Sequence, residues 1–341
     1  MKPRYAKNNE LINYQMKAIK NNRFLSFCIV ATALLCSCSK EPVESFAGGD
    51  PTSPILPDAG VVATVETKAD LSGAVSGTAF PTNTTKVFSV VGYKGTAAPT
   101  NNWSSPYING VIVNSGTSST LSFAPSQYYP ANGDKVFFYA YSPVSGATYT
   151  AGTSSVAPKV AWTITGMQDI MAAQVTTGIG KVSSGTQTQP TFAFTHKLKQ
   201  VKFKVVKDAS FEDNIKLTSL KIIGAKTVAS LALNTGTLSW ETATGELTAY
   251  NNNTGQAITG TATAVGTNGS PVMFEPGTSF KVRAIAGGVT YADATVTLSG
   301  TNAGQAGVSH EVTLTFKRNA IVPTATITNW TNGTAGNADV L

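Results

Sequence analysis

Cysteine and histidine are scarce in this chain of 341 residues, and their positions exclude several kinds of site. All three cysteines, Cys28, Cys36 and Cys38, precede residue 40, so the remainder can hold neither a disulfide nor a cysteine-ligated metal. The two histidines, His196 and His310, stand more than a hundred residues apart. The sequence therefore predicts no metal site and no cofactor, and stability that comes from packing and strand pairing.

Catalytic signatures are missing as well. The chain contains no Gly-x-Ser-x-Gly, His-Glu-x-x-His, P-loop or dinucleotide-binding fingerprint. Carboxylates are few and scattered, and the adjacent Glu212 and Asp213 would point to opposite faces of a strand, unlike a glycosidase pair. We therefore predict that the protein is not an enzyme.

Charge is low, at 13% of residues, and unevenly distributed. The formal net charge is +7, but residues 1–37 hold six basic residues and one acid, a net of +5, which leaves only +2 for the rest. The basic character is largely a property of the N-terminus. A nucleic-acid partner is therefore not predicted.

The N-terminus has the pattern of an export signal. Residues 16–23 are basic, and residues 24–35 form an apolar run that is too short to span a bilayer. The sequence Leu35-Cys36-Ser37-Cys38 then resembles a bacterial lipobox, with the small Ser37 before the acceptor Cys38. We predict a lipoprotein signal peptide over residues 1–37, lipid attachment at Cys38, and Met16 as a possible true start.

The remainder predicts an all-β body behind a short tether. Residues 41–60 contain four prolines and four acids, so we expect an extended tether over residues 38–60. Short strands rich in Val, Thr and aromatic residues then follow one another between Gly, Asn and Pro turns, which indicates β-sandwiches. Residues 178–189 are rich in Gly, Ser and Thr, and we place a boundary there, between an N-terminal sandwich (61–187) and a C-terminal one (188–341).

Two stretches support more detailed predictions. Residues 135–142 alternate Phe137, Tyr139 and Tyr141 on one face with Val136, Phe138 and Ala140 on the other, so this strand should lie in a sheet centre, covered on both sides. In residues 192–206 the apolar parity changes near Lys199 and Gln200, which suggests a bulge. The lysines at 197, 199, 202 and 204 are expected mostly to face solvent.

The junction at residues 61–69 reads as a half-buried strand that ends in a basic residue. Val61, Ala63 and Val65 share one face, and Lys68 and Ala69 follow. Several stretches along the chain, in the same order, resemble the fimbrillin family of Bacteroidales pilus subunits. They are the lipobox, Glu66-Thr-Lys-Ala69, Val136-Phe-Phe-Tyr-Ala-Tyr-Ser-Pro143, Asp169-Ile-Met-Ala172, Phe194-Thr-His-Lys-Leu-Lys-Gln-Val-Lys-Phe203, Phe274-Glu-Pro-Gly277, Thr313-Leu-Thr-Phe-Lys-Arg-Asn-Ala-Ile321 and Ile327-Thr-Asn-Trp330.

The resemblance implies two tandem transthyretin-like antiparallel β-sandwich domains and an outer-membrane lipoprotein precursor at the cell surface. It also implies that a surface protease specific for Arg or Lys cuts after Lys68 and frees the segment from Cys38 to Lys68. The groove that Val61, Ala63 and Val65 had covered would then accept a strand from another fimbrial subunit. Strand addition to an opened sheet edge is physically sound, because unpaired backbone groups and apolar pockets recur along it.

Two alternatives stay open at this point. In an uncleaved tip or anchor adhesin, Lys68 is one solvated lysine on a permanent first strand. In a surface glycan-binding lipoprotein, the tryptophans 103, 162, 240 and 330 and the pair Tyr128-Tyr129 would present exposed rings. Burial of the tryptophans would remove the reason for the second alternative.

Overall fold

The structure, a computed structural model, describes residues 49–61, 88–115, 121–209, 211, 214–318 and 320–327. Every regular element in these ranges is a β-strand. This confirms the all-β prediction, and it follows from a composition rich in β-branched and aromatic residues with frequent glycine turns. The described residues belong to one compact unit, so the division into tandem domains stays a prediction.

The described residues of the first half form eleven strands. They are β1 (Gly49–Pro54), β2 (Asp58–Val61), β3 (Phe88–Gly95), β4 (Ile108–Ser115), β5 (Leu121–Ala124), β6 (Tyr128–Pro130), β7 (Lys135–Ser142), β8 (Ala147–Thr150), β9 (Lys159–Thr163), β10 (Met171–Gly180) and β11 (Thr191–His196). Seven of them form one sheet in the order β2-β11-β10-β7-β3-β4-β5, and β1 pairs with β6.

Strand β7 lies at the centre of the seven-stranded sheet, with β10 on one side and β3 on the other. Every residue from Val136 to Ser142 is buried. Phe137, Tyr139 and Tyr141 face the larger of two apolar cores, whereas Val136, Phe138 and Ala140 face the smaller one. The predicted strand, its central place and its two covered faces are therefore confirmed.

In the part of the second half that the structure describes, there are twelve strands. They are β12 (Lys199–Lys207), β13 (Lys216–Lys226), β14 (Val228–Ala232), β15 (Thr237–Trp240), β16 (Thr244–Ala257), β17 (Thr263–Ala264), β18 (Val272–Phe274), β19 (Ser279–Ala286), β20 (Val289–Thr290), β21 (Ala294–Thr297), β22 (Ser309–Lys317) and β23 (Ala320–Ile327). One sheet has the order β17-β12-β22-β23 with β18 also on β12, and another has the order β16-β13-β19-β20 with β21 also on β19.

Two pairings depart from the antiparallel arrangement that the resemblance implies. Strand β12 runs parallel to β22 over eight residue pairs, from Gln200 beside Ser309 to Lys207 beside Phe316. Strand β2 runs parallel to β11, from Asp58 beside Thr191 to Val61 beside Phe194. Parallel pairs join residues that are remote in sequence, so local patterning carries no sign of them.

A four-stranded sheet joins the two halves. Its order is β15-β14-β9-β8, so a hairpin from the second half extends a hairpin from the first. The Trp162 indole N–H, on β9, donates to the Pro143 carbonyl 3.1 Å away and anchors the sheet. The larger core accordingly mixes side chains from both halves, such as Tyr139, Phe203 and Leu231.

The strand boundaries refine the sequence-based layout at two places. Residues 49–60, assigned to the tether, contribute β1 and β2 to the body instead, because Ile55 between them packs into the smaller core. Strand β11 follows the predicted boundary but pairs with β10 in the seven-stranded sheet. The new sheet begins at Lys199, after the break at residues 197–198.

That break replaces the expected bulge and changes the environment of one lysine. Strand β11 ends at His196 and β12 starts at Lys199, which resets the parity of buried residues. Lys199 is 1% exposed, whereas Lys202 and Lys204 are partly exposed. The expectation that the lysines mostly face solvent is therefore wrong for Lys199.

Candidate functional site

The segment of residues 49–61 is held at the edge of the seven-stranded sheet. Its strand β2 is only four residues long and pairs with β11 on one side. Its strand β1 pairs with β6 at two positions, Gly49 with Pro130 and Pro54 with Tyr128, with an irregular register between them. The segment therefore pairs along the margin of the sheet and does not run between two of its strands. We call residues 49–61 the edge segment.

Ile55 is the largest apolar side chain that the edge segment buries in the smaller core. Ile55, between the two strands, is 2% exposed and belongs to the smaller core together with Phe88, Tyr129, Phe192 and Phe194. The next residue, Leu56, is 48% exposed. Burying an isoleucine side chain is worth about 1.5–3 kcal/mol of transfer free energy, so Ile55 is the main apolar attachment of the segment.

The part of the smaller core that surrounds Ile55, called here the Ile55 pocket, contains a cluster of aromatic rings. The ring of Phe88 lies 5.4 Å from that of Phe192 and 4.9 Å from that of Phe194, both edge to face. Phe138 makes a similar contact with Phe192 at 6.0 Å. These rings project from β3, β7 and β11, so the pocket is built by the sheet itself.

Polar contacts fix the edge segment beside the pocket. The Ile55 N–H donates to the Gln127 carbonyl at 2.8 Å, and the Asp58 N–H donates to the Pro190 carbonyl at 2.9 Å. The side chain of Gln189 bridges the segment: its Oε1 accepts from the Leu56 N–H at 2.8 Å, and its Nε2 donates to the Pro54 carbonyl at 3.4 Å. These few bonds, together with the buried Ile55, hold the edge segment on the sheet.

The site residues predicted from sequence lie mostly outside the part of the chain that the structure describes. Cys38, Ala63, Val65, Lys68 and Ala69 all fall there. The backbone of Val61 is described, and it lies beside Phe194 at the end of β2. Sequence reasoning missed Ile55 and Gln189. The available signal was the apolar pair at 55–56 between two prolines, which the proline content of the tether concealed.

The tryptophan rings that the structure describes are buried or partly buried. Trp103 is 3% exposed and Trp162 is 2% exposed, and Tyr129 is fully buried. Trp240 is partly buried against the larger core, and Trp330 lies outside the described residues. Glycan binding on aromatic platforms needs open ring faces, so the glycan-binding alternative loses its main support.

No group of three or more His, Cys, Asp or Glu side chains in the described ranges is placed to hold a metal ion. No helix in those ranges has the length and apolar character needed to cross a membrane.

Comparisons with known proteins agree with the fold and with the resemblance. The family described as fimbrillin-like matches residues 74–330, well over half of the chain, and the chain belongs to that family. A fimbrial protein from Bacteroides vulgatus is similar in structure, with a TM-score of 0.54 and 17% identity over 82% of this chain and 99% of that chain. For a candidate cell adhesion protein from Bacteroides uniformis, the TM-score is 0.49 and the identity 16%, over 83% of this chain and 100% of that chain. No curated protein sequence matches.

Family membership supports a coarse functional statement. A fimbrillin-like chain is a cell-surface fimbrial or adhesion protein, and its family points to contacts with other fimbrial subunits. The similarity to the B. vulgatus protein, at 17% identity, adds support for the fold alone.

Proposed function

We propose that this protein is a structural or accessory subunit of a cell-surface fimbria that assembles by strand exchange and supports adhesion. It is exported as an outer-membrane lipoprotein precursor, anchored through lipidated Cys38. A surface protease specific for Arg or Lys cuts between Lys68 and Ala69. The observation that supports the proposal is the edge segment, which precedes that bond and is held in the smaller core chiefly by one large apolar side chain, Ile55.

Cleavage after Lys68 would turn the edge segment into a separate peptide. The peptide from Cys38 to Lys68 would include β1, β2 and the face of Val61, Ala63 and Val65. Its departure would leave the Ile55 pocket and the free edge of β11 open to a strand of a neighbouring subunit. An exposed aromatic pocket beside unpaired backbone groups is an unstable state in water, which provides the drive for a second strand to bind.

The domain layout predicted from the sequence is part of the proposal. Residues 1–37 are the signal peptide, with translation starting at Met1 or Met16, and the sandwiches span residues 61–187 and 188–341. The uncleaved tip or anchor adhesin remains the competing function. In that case the edge segment stays in place as a permanent strand.

The test uses the full precursor without its signal and a short trypsin treatment. We expect one early cut after Lys68, found by mass spectrometry, followed by loss of the small fragment and growth of oligomers in light scattering. Lys68→Ala should prevent all three changes, and Lys159→Ala, at an exposed lysine on β9, should prevent none.

Two results would count against the proposal. A body that is degraded throughout at the same rate as it is cut at Lys68 would show that the junction has no special exposure. A clipped body that keeps its fragment and stays monomeric would favour the permanent-strand adhesin.

A further inference from the structure

Two loops of the second half are locked together at their backbones. The turn at residues 275–278 links β18 to β19, and the loop at residues 298–308 links β21 to β22. The Gly277 N–H donates to the Gly304 carbonyl at 2.7 Å. A side chain at Gly304 would collide with the Gly277 carbonyl, and the positive φ of +68° there also favours glycine. The loops are therefore in direct contact, with no side chain between them.

A buried lysine holds the first loop. Lys199, at the start of β12, donates from its Nζ to the Gly277 carbonyl at 2.7 Å. The same Nζ lies 4.2 Å from the centre of the Phe274 ring and 5.1 Å from that of Phe280. The carbonyl and the two ring faces partly replace the water that this ammonium has lost. Burial nevertheless lowers the pKa of Lys199 to about 8.

A buried histidine holds the second loop. His310 on β22 has no exposed surface, and its Nε2 accepts a hydrogen bond from the Gly304 N–H at 3.1 Å. Nε2 must therefore be unprotonated, which assigns the ring hydrogen to Nδ1. Burial, together with the nearby charge of Lys199, lowers the pKa of His310 to about 4.

We propose that Lys199, His310 and the two joined loops form an acid-released latch. Protonation of His310 converts Nε2 from an acceptor into a donor that faces the Gly304 N–H, and it adds a second buried cation near Lys199. Both effects oppose the closed arrangement. The loops then separate while the sheets below them, including the long β12–β22 pair, stay intact.

The charged groups around the latch do not compensate a protonated His310. Glu275, in the first loop, is committed to the Lys226 N–H through its Oε1 at 3.2 Å, and burial raises the pKa of its carboxyl group. In the second loop, Gly307 lies near the Cβ of His196. The Nδ1 atom of His196 is in turn paired with the Asp169 carboxylate at 2.8 Å. Deprotonation of Lys199 leaves an amine that still donates to Gly277. The latch should therefore open in acid and remain closed in mild base.

Amide hydrogen exchange of the full chain, followed by NMR between pH 7.5 and 3.5 and corrected for intrinsic rates, tests the latch. We expect protection of the Gly304 and Gly277 amides to fall by up to about 300-fold, the factor that corresponds to a histidine pKa of about 4 when closed and 6.5 when open. The Ile222 amide in β13 should keep its protection and so report that the fold persists.

His310→Gln separates protonation from packing. A glutamine can accept from the Gly304 N–H but does not titrate, so we expect protection at Gly304 to be flat with pH in this variant. His196→Gln, which removes the other histidine, should retain the fall seen in the natural chain.

The proposal is overturned if His310→Gln shows the same fall as the natural chain, or if the Ile222 amide loses protection together with Gly304. Should either variant fail to fold, the imidazole signals of the natural chain decide. A His310 titration that leaves the Gly304 amide unchanged contradicts the latch, and coincident midpoints support it.

Discussion

Strands β2 and β13 show how differently two parts of one β protein can be held. Strand β13 has eleven residues and pairs with β16 on one side and β19 on the other over most of its length. Strand β2 has four residues and pairs with β11 alone among the described strands. The comparison teaches that strands of one β protein can be held very unequally: β13 is paired on two sides, whereas β2 has one short pairing. On the proposed function, the weakly held strand is the one that another strand replaces.

Removing a core side chain from the permanent strand should have the largest effect. Ile222 on β13 has no exposed surface. Ile222→Ala should lower the free energy of unfolding by about 2–5 kcal/mol, since the surrounding sheets cannot close the cavity. Urea denaturation followed by circular dichroism measures the change. A loss below about 1 kcal/mol would mean that β13 is less constrained than its pairing indicates.

The buried charge in the second half should give that half a distinctive pH dependence. Because the folded-state pKa of Lys199 is lowered to about 8 from 10.5, the unfolded state binds more protons between these values, and stability should rise with pH across that window. The full rise is about 3 kcal/mol. Lys199→Met should abolish it.

Denaturation of both proteins at pH 7.5, 9 and 10.5 checks this prediction, with Lys202→Met on the same strand as the matched control. If the rise of stability with pH persists in Lys199→Met, or disappears in Lys202→Met, Lys199 is not the group responsible for it.

The same isoleucine truncation in the edge segment should cost less overall. Ile55→Ala should lower global stability by no more than about 1–2 kcal/mol, because a weakened segment can detach locally before the body unfolds. Exchange protection of the β2 amides should nevertheless be lost. Leu56→Ala, at an exposed neighbour, should change neither quantity. A global loss equal to that of Ile222→Ala would show that the edge segment is integral to the fold.

The smallest expected effect is at the side chain that bridges the segment. Gln189→Ala removes the bonds to the Leu56 N–H and the Pro54 carbonyl and should cost about 1 kcal/mol of segment attachment. Gln187 bonds to the Val182 N–H and to the Gly180 and Thr188 carbonyls, which lie outside the edge segment. Gln187→Ala is therefore the matched control, and equal loss of β2 protection in both variants would argue against the bridge.

The sequence was most informative where local patterning alone determines structure. Residues 135–142 showed their strand, their two covered faces and their central place, because alternation of large apolar side chains is a local signal. Residue 199 was misjudged because the parity change beside it was assigned to a bulge, whereas the strand in fact breaks at residues 197–198. A parity change alone does not distinguish a bulge from a break. The parallel pairing of β12 with β22 joins residues more than a hundred positions apart, which no window of sequence can show.

The edge segment illustrates the same limit for the candidate site. Its prolines and acids are typical of an extended tether, a kind of segment that makes few contacts with the rest of a protein. What composition omits is that the single residue Ile55 meets a pocket built from β3 and β11, strands about 30 and 140 positions away along the chain. Tertiary contacts of this kind turn a tether into part of a sheet.

The central claim is that the edge segment is a replaceable strand, and binding of a synthetic peptide of residues 49–61 to the protein clipped after Lys68 and freed of its fragment tests it most directly. We predict stoichiometric binding in calorimetry that is abolished by Ile55→Asp in the peptide and preserved by Leu56→Asp. A clipped body that binds neither the natural peptide nor a second copy, or that binds the two variants equally, would contradict the claim.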